Sequence, residues 1–159
     1  SSAASDVYKR QLPDYAPTEH GVLALVTKRV PGVLFCLLTA LRFHGLTTQA
    51  PFDVWIALGN KAWVPELDYP QLRVVRFSPE SLGQGVETHR VEGTKIRVTS
   101  VAKTVADCFK FRNKVGLDVA LEALREARRS GKVNADDLWR FAELNRVTKV
   151  MRPYMEAVG

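Results

Sequence analysis

Several side chains have the types and spacing that chemistry needs. Ser100 and Lys103 stand in a Ser-x-x-Lys arrangement, which sets an amine one helical turn from a hydroxyl. Ser100 also sits where a helix N-cap belongs, and Lys103 falls on the polar side of that helix. The companion Ser-Asp-Asn and Lys-Thr-Gly motifs of serine acyl-transfer enzymes are missing. A cap is therefore expected, and no catalytic residue. His20, His44 and His89 lie on three different predicted elements, none of them three or four residues from another ligand type on one helix face. No metal site is expected from that spacing. His44 precedes a helix stop and is expected to cover the last carbonyls of its helix. Asp53 and Glu87 open or occupy different strands, so two carboxylates could meet across a sheet to hold a divalent metal, as a nuclease needs. No glycine-rich phosphate loop occurs, and no cofactor is expected.

The basic residues remain. Lys103, Lys110 and Lys114 are expected on one helix face, interrupted by Asp107, which can pair with Lys103 and Lys110. Arg125, Arg128 and Arg129 gather with Lys132 at the end of the next helix, where cations complement the negative dipole end. Each alone reads as solvated charge. Together Lys103, Lys110, Lys114, Arg125, Arg128 and Arg129 are the candidate contacts to nucleic-acid phosphates.

The chain of 159 residues has a net charge of +6, of which residues 101–159 carry +4. That balance suits a nucleic-acid partner without requiring one. Apolar residues make up 46% and charged residues 25%, ordinary usage for a domain able to bury a core. No apolar run is long enough to span a membrane, and no leader pattern is visible. Cys36 and Cys108 sit alone in apolar segments, as buried thiols of a cytoplasmic protein would.

Periodicity then places the elements. Thr18 can cap a helix carrying Val22, Leu25, Val26 and Val30. A second helix is expected from near Val33, apolar nearly all round and stopped by Gly45. Val54 to Leu58 and Leu72 to Phe77 read as strands, and Val86 to Val91 with Lys95 to Val98 as a hairpin. Helices follow from Ser100, Asp118, Asn134 and about Val147. Trp63 lies in a polar loop and is expected to be exposed, whereas Trp55 and Trp139 read as anchors. The fold class is α+β: a small, mostly antiparallel sheet flanked by an N-terminal helix pair and a C-terminal helical cluster. An antiparallel sheet is expected because the strands follow one another too closely for helical crossovers.

Residues 42–58 (RFHGLTTQAPFDVWIAL) and 98–114 (VTSVAKTVADCFKFRNK) resemble the C-terminal domain of AbiEi-type antitoxins, the transcriptional regulators of type IV toxin–antitoxin systems. The resemblance covers about residues 12–158. It implies a non-enzymatic antitoxin and autoregulatory repressor active in abortive infection. It implies operator DNA as a partner, bound mainly through an N-terminal winged helix-turn-helix that this chain lacks. It also implies a functional partner, an AbiEii-type nucleotidyltransferase toxin, without a stable complex, and leaves room for self-association. The alternatives are a divalent-metal nuclease and a purely dimerising module. Residues 1–11 are small and polar, and residues 6–11 resemble translated sequencing-adapter sequence. They are expected to be a non-native tail, with the domain spanning 12–159.

Overall fold

The computed structural model describes residues 20–158. The tail at 1–11, the entry near residue 12 and the cap at Thr18 lie outside the described residues. The elements run α1 (Gly21–Arg29), β1 (Leu34–Phe35), α2 (Leu37–His44), β2 (Val54–Gly59), β3 (Leu72–Phe77), α3 (Pro79–Leu82), β4 (Val86–Val91), β5 (Thr94–Thr99), α4 (Val101–Lys110), α5 (Arg112–Val115), α6 (Leu117–Arg129), α7 (Ala135–Leu144) and α8 (Thr148–Val158). The α+β class holds.

The sheet is mixed rather than mainly antiparallel. Its order is β3-β2-β1-β5-β4. β2 and β3 run parallel over their full length, and β1 pairs parallel with Arg97 and Val98 of β5, whereas β1–β2 and β4–β5 are antiparallel. The antiparallel expectation rests on a parallel pair needing a helical crossover. Residues 60–71 make the return from β2 to β3 without one, because twelve residues are long enough to run back along a strand.

The expected N-terminal helix pair is also divided. Leu34 and Phe35 form a two-residue strand at the centre of the sheet, between β2 and β5. Leu37, fully buried and with φ +49°, then turns the chain sharply into α2. The strand and the start of the helix are both apolar, so the boundary leaves no trace in hydrophobic periodicity.

Strand alternation sends each residue set to its own layer. Phe35, Val54, Ile56, Ile96 and Val98 meet Leu23 and Val26 of α1 on one face. Leu34, Trp55, Ala57, Val75 and Phe77 meet the packed helices α2, α4, α6, α7 and α8 on the other. β2 is buried on both faces, which explains its unbroken apolar run. α2 ends as expected: Gly45 adopts φ +74°, and the Leu46 N–H donates to the Leu41 carbonyl at 2.8 Å. No helix among the described residues is long and apolar enough to cross a membrane.

Candidate functional site

Helix α4 joins the sheet to the helical layer, and its sequence dictates how. Ser100 is extended, and its Oγ accepts the Lys103 N–H at 3.2 Å, the expected cap. Its own N–H donates to the Gly85 carbonyl at 2.8 Å. Gly85 has φ +70°, and a Cβ there would lie 2.7 Å from the Lys103 Cβ, so only glycine lets β4 start this close to α4.

Lys103 departs from the sequence reading. The helical wheel puts it on a solvated face as a phosphate contact, yet it is fully buried together with Asp107. Its Nζ donates to both Asp107 carboxylate oxygens, at 2.9 and 3.1 Å, and lies 4.0 Å from the centroid of the Phe77 ring. Asn145 Nδ2 donates to Asp107 Oδ1 at 2.8 Å, while Asn145 Oδ1 is buried without a hydrogen-bond partner. Burial pushes the Asp107 carboxyl up, against the pull of Lys103 and Asn145. The Lys103–Asp107 part of the polar side of the α4 wheel is covered by Phe77 of β3 and by Asn145 at the end of α7, while Lys110 stays exposed. A helical wheel cannot know that.

The same burial silences the cysteines. Cys36 and Cys108 are fully buried, and desolvation followed by the nearby Asp107 carboxylate raises both thiols well above their ordinary range. Neither can serve as a thiolate nucleophile.

The remaining basic candidates are divided among three helices. Lys110 ends α4, and the chain breaks at Phe111 before the short α5 that carries Lys114, so the two do not continue a single helix face. Both are exposed, as are Arg125 and Arg129, and Arg128 is half-buried. Arg129 forks onto Glu126, Nε to Oε1 at 3.0 Å and Nη2 to Oε2 at 2.5 Å. Lys132 reaches back to the His44 carbonyl at 2.5 Å.

Asp53 and Glu87 are not brought together, since β1 and β5 stand between their strands. Asp53 lies 3.8 Å from Arg73, and Glu87 Oε1 lies 2.9 Å from His89 Nε2. No group of three or more His, Cys, Asp or Glu residues among the described residues could hold a metal ion. Trp63 is 92% exposed, as its loop position suggested.

The constellation that sequence spacing missed is the histidine group. His20, His44 and His89 are far apart in sequence yet converge on Phe43. His44 does not cover the carbonyls of its own helix. Its Nε2 donates to the Thr99 carbonyl at 2.8 Å, tying the end of α2 to the junction of β5 and α4. The one signal in the sequence is that α2 must end near the sheet, which fixes neither partner. No model of a known protein family matches the chain, and no curated protein matches it.

Proposed function

We propose that this chain is the body of an antitoxin and autoregulatory repressor of the AbiEi type, cytoplasmic and without catalytic activity of its own. The observation that carries the reading is how the two motifs meet. Residues 42–58 supply the end of α2 and most of β2, and residues 98–114 supply the end of β5 and all of α4. α2 packs on α4, and His44 bonds Thr99 across the two segments. The stretches that resemble the family are thus one structural unit, as expected of residues that specify an architecture. Lys103 and Asp107 of the second stretch are paired with each other and buried, and in this reading the body acts by surface recognition.

In this reading a winged helix-turn-helix recognises the operator, and the body adds phosphate contacts from Lys110, Lys114, Arg125, Arg128 and Arg129. The test is growth of bacteria expressing an AbiEii-type nucleotidyltransferase, with and without this chain. Restored growth, with no co-purifying complex, is the expected result. Growth arrest that persists despite soluble expression of this chain overturns the reading.

A further inference from the structure

The chain has three histidines, and all three meet at one phenylalanine. The rings of His20 and His89 each lie with centroids 4.8 Å from that of Phe43, and His44 stands edge-on at 5.4 Å. His44 and His89 are 6.3 Å apart. They come from the residue that leads into α1, from the end of α2 and from β4. A random scatter of three histidines over separate elements does not give this arrangement.

Thr99 offers His44 only a carbonyl oxygen, so His44 Nε2 carries the proton and Nδ1 is the position that takes a second one. Charged and titratable groups reach the cluster from several elements. From β4 come Glu87, 2.9 Å from His89 Nε2, and His89 itself. From the turn after α6 comes Lys132, whose ammonium sits on the His44 carbonyl. Arg42 precedes Phe43 on α2, and together with Asp53 it lines a cleft of about 190 Å³ that His20 also lines. β5 contributes the Thr99 carbonyl to His44. Glu87 thus faces His44 and His89 with its carboxylate, and the Lys132 charge stands against it.

We propose that the cluster is a proton-operated clasp on α1. With the rings neutral, Phe43 holds His20, and with it the first turn of α1, against the rest of the molecule. With the rings protonated, their mutual repulsion loosens that hold and α1 lifts from β4 and β5. Phe43 can favour one imidazolium over its face and the single Glu87 carboxylate can neutralise one more charge, but Lys132 stands against Glu87 and the two together do not offset the repulsion among three. His20 is well placed to transmit the change, since its carbonyl accepts the Leu23 N–H that opens α1, at 3.0 Å. Burial lowers the His44 pKa, so its protonation is coupled to exposure. α1 packs on β5 and β4 against one face of the sheet, so its loosening would bare Phe35, Ile56 and Ile96.

Hydrogen exchange of the full chain at pH 7.5 and 5.5, corrected for intrinsic rates, tests the clasp. Amides of α1 should exchange about tenfold faster at the lower pH relative to those of α4, reporting a local opening. His89→Gln removes one imidazole from a half-exposed strand position and should abolish most of that difference, as should His44→Gln, whose amide can still donate to Thr99. If His44→Gln does not fold, His89→Gln decides alone. Equal protection of α1 at both pH values, or the same acceleration in wild type and His89→Gln, overturns the proposal.

Discussion

Lys103 Nζ lies 2.9 Å from Asp107 Oδ2, with both side chains sealed from solvent one helical turn apart. An exposed pair of this spacing contributes only tenths of a kcal/mol. A buried one behaves differently, because removing either partner strands the other charge in a medium that cannot solvate it. Lys103→Met should therefore destabilise the protein by about 3–5 kcal/mol. The combined variant Lys103→Met, Asp107→Leu, Asn145→Leu should recover most of that loss, since no charge or amide is then left unpartnered. Urea unfolding measures both, and a combined variant as unstable as the single one would show that the network contributes more than its own satisfaction.

Gly85 makes a sharper claim about geometry. Gly85→Ala meets two costs at once, a left-handed backbone and a Cβ 2.7 Å from the Lys103 Cβ. A loss of about 2 kcal/mol or more is expected, above the ~1 kcal/mol of an ordinary helix-cap deletion. Ser100→Ala supplies that comparison in the same molecule, as its Oγ bonds the Lys103 N–H. If the two variants melt alike, β4 can move off α4 more freely than the packing implies.

Protonation of His44 gives stability a pH dependence of definite sign. Its pKa is lowered from the ordinary 6.5, by burial first and by His89 and Lys132 with it. Below pH 6.5 the unfolded chain therefore binds the proton more readily than the folded one. The contribution is fully present above 6.5 and is lost as pH falls through the folded value. Melting temperature should drop between pH 7 and about 5 in wild type and less so in His44→Gln. Parallel curves for the two proteins would remove His44 as the cause.

What can be read from the sequence follows a physical division. The α+β class, the Ser100 cap and the Gly45 stop are local matters of capping and backbone freedom, and local chemistry is written in neighbouring residues. Strand alternation in Lys95-Ile96-Arg97-Val98 is equally legible, since Ile96 and Val98 are buried while Lys95 is exposed. The strand Leu34–Phe35 is not, because its apolar run continues into α2 with no change of period. Lys103 escapes a helical wheel because a wheel reports amphipathicity, whereas α7 and Asn145 seal its polar side from outside the helix. The histidine cluster depends on the strand order β1-β5-β4, a long-range property that three residues at unrelated spacings cannot encode.

In the repressor reading proposed above, DNA binding is set by where the basic residues lie. Sequence is read by side chains that reach base edges in the major groove, usually from one helix. Lys110, Lys114, Arg125 and Arg129 are exposed but spread over α4, α5 and α6, so they can meet phosphates and carry little sequence information. Glu126 already holds Arg129, which weakens its claim, and Lys103 is excluded by burial. The chain alone should bind duplex DNA in the non-specific range, with Kd about 10⁻⁴–10⁻⁶ M and affinity falling steeply with salt. Replacing Lys110, Lys114 and Arg125 by Ala should weaken binding equally for the promoter of its own operon and for a random duplex. The salt slope should fall by about one for each phosphate that is no longer neutralised. Lys103→Met, by contrast, should change affinity only as far as it changes the folded fraction. Fluorescence anisotropy with both duplexes at two salt concentrations decides the matter. A preference of about tenfold or more for the promoter, shown by this chain alone, would mean that these residues themselves read sequence.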